Sequence, residues 1–172
     1  MKQTLSCLAL AVLLLSACNK PDEGESADGE AESTEALGSY DINPENGEVR
    51  ATHTDAAGVT TTMRAGKDVP IELADPFLPY PGAELVSTTR VDQGDGSFVT
   101  LDFTTPDSRN QVVAFYRELA LDAGIDTEID ISGENATTLG GENRDGGISF
   151  TLSVRSDGSR TEGQLSVASG FE

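Results

Sequence analysis

The chain has 172 residues, with 30 Asp and Glu against 11 Lys and Arg, a formal net charge of −19. That balance lacks the basic footprint that phosphate contacts require, so nucleic acid is excluded as a partner. It also disfavours close adsorption of a folded domain to anionic lipid, and the acidity is read as a source of solubility rather than a cation site.

Met1 and Lys2 open a short positive region, and Leu8 to Leu15 is an almost unbroken apolar run. The run is shorter than the about 20 residues that span a bilayer. Followed by the small residues Ser16 and Ala17, it reads as a signal peptide and is set aside from fold reasoning. Leu15-Ser16-Ala17-Cys18 resembles a bacterial lipobox. The resemblance implies removal of residues 1–17, a diacylglyceryl group on the Cys18 sulfur and acylation of the new terminus. The alternative is an ordinary secreted protein with a coincidental cysteine. Several acyl chains, at about 0.8 kcal/mol per buried CH₂, make a stable anchor. Asn19, not Asp, follows the cysteine; in lipoproteins of two-membrane bacteria this implies outer-membrane residence facing the periplasm. Membrane attachment is then expected through the lipid alone. Cys7 leaves with the signal and Cys18 is consumed, so neither a disulfide nor thiol chemistry is expected.

Residues 18–47 read as anchor and acidic linker. Glu and Asp recur among Gly, Ser, Ala and Pro, with Lys20 the sole base. Low hydrophobicity and like charge cannot offset ordering entropy, so disorder is expected. A flexible chain of this length averages roughly 30 Å end to end.

Residues 48–172 carry the pattern of one small α+β domain. Its first unit is a polar hairpin: Val49, Ala51 and His53, a turn at Asp55–Gly58, then Thr61 and Met63. Its Thr-rich composition suits a sheet edge. Pro70, Pro76, Pro79 and Pro81 then exclude a helix or central strand over 69–82. Strands are expected at 83–91 and 97–104. Thr105 as N-cap, Pro106 at the first helical position and Gly124 as terminator bracket an amphipathic helix over about 105–123. Val112, Phe115, Tyr116, Leu119, Ala120 and Ala123 share its apolar face, and Leu121 falls opposite. Further strands follow: Thr127, Ile129 and Ile131 on one face, a weak strand near 136–140, then 148–154. Asp157-Gly158 signals a hairpin, and Leu165 and Val167 close the domain. Clean alternation marks antiparallel pairing. The expected fold is a single antiparallel sheet with one helix packed on one face, plus an N-terminal edge hairpin. Pro79-Tyr80-Pro81-Gly82-Ala83, followed by a hairpin and a Phe115-Tyr116 helix ending in Gly, resembles a pattern in small uncharacterised bacterial lipoproteins. The resemblance spans Pro79–Gly124 and implies no activity.

Chemistry is sparse. His53 is the only histidine, and there is no nucleophile elbow and no Cys/His zinc set. The acidic Gly turns at 92–96 and 142–146 lack the ligand spacing of a calcium loop. No cofactor is expected. Phe77 and Tyr80, in their Pro frame, either line a groove or plug the sheet end, and Leu121 is a candidate partner contact. The expected function is a tethered, non-catalytic interaction or structural domain, partnered by an unidentified envelope protein or ligand. The alternative is a periplasmic small-ligand carrier or enzyme with its pocket between helix and sheet.

Overall fold

The computed structural model describes residues 38–171. Cys18, the signal peptide and residues 18–37 of the expected linker lie outside the described residues. The elements in chain order are β1 (Gly38–Ile42), β2 (Val49–Thr54), β3 (Thr60–Gly66), β4 (Glu84–Gln93), β5 (Gly96–Thr105), α1 (Arg109–Asp122), β6 (Asp126–Ser132), β7 (Ala136–Asn143), β8 (Ile148–Asp157) and β9 (Arg160–Ser169). All strands join one nine-stranded antiparallel sheet in the order β1-β2-β3-β4-β5-β9-β8-β7-β6. The fold is α+β, with the single helix packed on one face of that sheet.

Two-residue turns close the β4–β5 and β8–β9 hairpins. They begin at Gly94 (φ 57°) and Gly158 (φ 60°), where positive φ suits the strand twist and glycine adopts it freely. Helix α1 does not begin at Thr105, which ends β5 instead. Ser108 is the N-cap: its Oγ accepts from the Gln111 backbone N–H, and the Gln111 side chain accepts from the Ser108 backbone N–H. This reciprocal Ser-x-x-Gln capping box satisfies two orphan donors at once, which outweighs the helix-start preference of Pro106. The helix ends as read. Gly124 (φ 67°) donates to the Leu121 carbonyl and Ile125 to the Ala120 carbonyl, a Schellman motif whose hydrophobic contact is between buried Ala120 and Ile125. Asn143 Nδ2 donates to the Ala123 carbonyl at 2.9 Å, tying the helix end to β7.

Two expectations about the sheet are corrected. Strand β1 lies within the stretch read as linker and pairs with β2, so the edge is β1 and not the hairpin. Its alternating Tyr40 and Ile42 form too short a pattern to stand out among acidic neighbours. On β6, Ile129 and Ile131 do not face the core; they are 43% and 67% exposed. A bulge between Thr127 and Ile129 moves the strand out of period two, so Thr127 and the isoleucines lie on opposite faces. Asp130 consequently turns toward the helix and pairs with Arg117 at 2.8 Å.

The core fills the space between helix and sheet. Val112, Tyr116 and Ala120 are its fully buried helix positions, while Phe115 and Leu119 flank them half-buried. Facing them are Leu101 and Phe103 of β5, Leu165 of β9, Leu152 of β8 and Leu139 of β7. Phe103 lies over Gly163, where an added Cβ would stand 2.2 Å from Cζ of the ring. Gly163→Ala is therefore expected to cost about 1–3 kcal/mol through overpacking, and Tyr116→Ala about 3–5 kcal/mol. Leu121→Ser, at a position 68% exposed, should stay within about 0.5 kcal/mol of wild type. Denaturant melts of the three variants check this order.

Candidate functional site

An aromatic cluster packs between the helix and the sheet, and a cleft of about 280 Å³ lies beside it, between Val113 and Arg117 of α1 and Ser132 and Thr137 of the sheet. Tyr80 packs edge-on to Phe115 at 5.2 Å between centroids and stacks over Phe103 at 6.2 Å. Phe77 lies against Phe150 at 5.3 Å. Both Phe77 and Tyr80 are buried, so the Pro-rich crossing plugs the sheet and does not line a groove. Tyr80 Oη donates to Asp107 Oδ2 at 2.8 Å. Burial, reinforced by that carboxylate, pushes its phenol up to about 12. Tyr116 Oη donates to the Leu78 carbonyl at 3.3 Å, and burial raises its phenol as well. Both hydroxyls are engaged as donors. Leu121 stands alone on the outer face of the helix. His53, on β2 opposite Thr61, is exposed. Among the described residues no cluster of His, Cys, Asp and Glu could hold a metal ion, and no helix is long and apolar enough to cross a membrane.

The two faces of the sheet differ in kind. Helix α1 and the Pro-rich crossing cover the β5-to-β7 part of one face, here called the helix side. Beyond them, on β2 to β4, the helix side carries charge. Glu48 Oε1 accepts from Arg64 Nε at 2.8 Å and Arg50 Nε at 2.9 Å, and Arg90 bridges Glu72 and Asp92. Glu48 is only 5% exposed. The hydrogen bond from Arg64, followed by that from Arg50, holds its carboxyl below the ordinary 4.5, against the opposing effect of burial.

The other face is open: no helix or strand of the described residues lies over it. The strand registers place one uncharged row across its whole width. Ile42, Val49 and Ala65 enter from β1 to β3. Thr89, Thr100 and Ser166 occupy the middle, with the Thr100 and Ser166 hydroxyls hydrogen-bonded at 2.9 Å. Thr151, Gly140 and Ile129 complete it. A parallel row runs from Tyr40 through Ala51, Met63 and Val91 to Phe98 and Ala168.

Toward the other strand ends the open face dips into a trough of about 460 Å³. The bulge between Leu85 and Ser87 sets Val86 at one wall, and Ala136 stands at the other. The floor is polar and internally paired. Asp102 accepts from Ser87 Oγ at 2.7 Å and Gln164 Nε2 at 2.8 Å, and Arg155 pairs with Glu162 at 2.5 Å. No sequence motif marked these residues. The only signal was the strand alternation itself, whose polar members proved to share a face with exposed isoleucine, tyrosine and phenylalanine.

One protein-family model, described as START domain-like, matches residues 85–163. The match runs from the β4 bulge to Gly163 of β9, and it covers α1 and the trough but under half of the chain. No curated protein and no solved structure matches.

The Glu48 cluster carries a pH signature. Because the folded carboxyl lies below 4.5, its stabilisation is fully present above about that pH and fades as pH falls through the folded value. The stability gap between wild type and Glu48→Gln is expected to shrink steadily below pH 4.5. Chemical denaturation of both proteins across pH 3–7 measures it.

Proposed function

We propose that this chain is a lipid-anchored envelope protein whose folded part is a non-catalytic interaction or structural module, and that the open face of the sheet is its working surface. The observation that carries the choice of surface is the contrast between the two faces. In a chain with a net charge of −19, an uncharged row crosses all nine strands of the open face, while on β2 to β4 the ion pairs of Arg50, Arg64, Arg90 and Asp92 sit on the reverse; the open face carries Asp102, Arg155 and Glu162 in the trough. Depletion of charge is what distinguishes the core of a protein interface from the rest of a surface. The lipobox at Leu15–Cys18 supports the anchor, and Asn19 supports outer-membrane residence facing the periplasm. The exposed, isolated His53 and the silenced Tyr80 and Tyr116 favour a non-catalytic reading.

A second reading, a periplasmic small-ligand carrier, is favoured by the trough and by the START domain-like match, since that fold usually serves as a ligand-binding domain. On this reading the ligand would lie on the open face and not beneath the helix. An isolated trough of this volume falls within the range of small-molecule sites.

The anchor is tested at the terminus. Mass spectrometry of the protein extracted from membranes is expected to show an acylated Cys18. Cys18→Ser should leave an unprocessed precursor or shift the protein to the soluble fraction. An unmodified terminus elsewhere would sink the lipoprotein reading and leave the domain to be explained as a freely diffusing one.

A further inference from the structure

The open face has the dimensions and chemistry of an interface, and the remaining question is what covers it. Nine strands at about 4.8 Å spacing, with about three two-residue repeats along each, give the face about 900 Å². That is close to the about 800 Å² per partner of a standard stable interface. The middle of the face is built from Thr89, Thr100, Ser166, Thr151 and Gly140. Such short side chains allow a second sheet to approach to about 10 Å, the ordinary distance of packed sheets. Large apolar groups stand at the two ends, Tyr40 (66% exposed) and Ile42 at one, Ile131 and Ile129 at the other, and Phe98 stands beside Thr100 on the central strand.

We propose that the occupant is a second copy of this chain, packed sheet to sheet in an isologous dimer. The proposal rests on the reading of the open face as the working surface. Strand β5 is the middle strand of the nine, with four on either side. A two-fold axis running along it past Thr100 reverses the strand order of one copy over the other. The registers then set Ile42 of each sheet over Ile129 of its partner, so both apolar ends of the Thr100 row are covered by the same operation. Charge favours this face as well. Two chains of net charge −19 repel, and the repulsion is least along the Thr100 row, to which neither contributes a charge; Asp102, Arg155 and Glu162 lie at the trough end of the same face.

Thr151 is exposed, belongs to the uncharged row and lies outside the core, so it is the position to test. Sedimentation equilibrium of the full chain over micromolar concentrations is expected to give a dimer. Thr151→Arg should weaken self-association by about tenfold or more, because symmetry introduces the charge twice, while leaving the thermal midpoint unchanged. Leu121→Arg, on the far side of the helix, should leave the dimer intact. A wild-type chain that stays monomeric overturns the proposal, as does a dimer indifferent to Thr151→Arg or lost with Leu121→Arg. A photoreactive benzophenone side chain placed at Thr151 separates this failure from failure of the surface itself. In intact cells an adduct of twice the chain mass supports the dimer. An adduct of another mass overturns the second copy but keeps the open face as working surface, and no adduct overturns both.

Discussion

A single helix is about 10 Å across, whereas nine strands at about 4.8 Å spacing present a sheet near 40 Å wide. One helix cannot cover that sheet, and the rest of the structure follows from the shortfall. Where α1 and the Pro-rich crossing lie, the helix side of the sheet is apolar: Leu101, Phe103, Leu139, Leu152 and Leu165 are all buried. Where they do not reach, the same side of β2 to β4 turns polar and holds Glu48, Arg50, Arg64, Arg90 and Asp92 in ion pairs. Strand alternation then obliges the apolar residues of that half to emerge on the other face. Ala51, Met63 and Val91 on the open face are thus the complement of the charged stripe and have the same cause.

The aromatic residues are few, and their placement shows how the covered half is made rigid. Tyr80, Phe103, Phe115 and Tyr116 form one connected set, with ring centroids 5.0–6.3 Å apart, and Phe77 and Phe150 form a separate pair at 5.3 Å. The Pro-rich crossing supplies two of them, so a segment without regular structure closes the end of the core. Its hydroxyl partner Asp107 lies in the turn before α1, which couples the crossing, the β5 end and the helix start. Thr161 Oγ1 donates to the Asp107 carbonyl at 2.7 Å and adds β9 to the same junction. This packing fills the space beneath Tyr116 and Tyr80, while the trough lies on the opposite face.

Much of this architecture was legible in the sequence because it rests on local periodicity. The alternation of Val99, Leu101 and Phe103, the Asp157-Gly158 turn, the 3.6-residue stripe of α1 and its Gly124 terminator each speak through neighbouring residues. The failures are equally specific. Strand β1 was hidden by acidic composition on either side. The helix start was hidden by a Pro that resembled a first helical residue, although the Ser108–Gln111 box was written three residues later. The isoleucines of β6 were placed on the wrong face because a bulge, set by tertiary pairing with β7, is invisible to a count of two. The open face escaped for a deeper reason. Its rows consist of residues from strands far apart in sequence, brought side by side only by the registers. A Thr in each of several strands has no meaning until the strands are aligned.

The strand order holds a further consequence, for the time course of folding. Among the described residues β9 is the last strand in chain order, yet it sits between β5 and β8 and is the strand that pairs the β1–β5 meander with the β6–β8 meander. Until Arg160–Ser169 is available, β5 and β8 each present a bare edge rich in valine, leucine and phenylalanine, and bare edges of that kind recruit other chains. The contacts β9 completes join residues as far apart as Ser97 and Ser169, and pairings of such separation close slowly. Assembly of the sheet is thus governed from its C-terminal strand, and an interruption before Arg160 leaves two open half-sheets in place of one shortened domain.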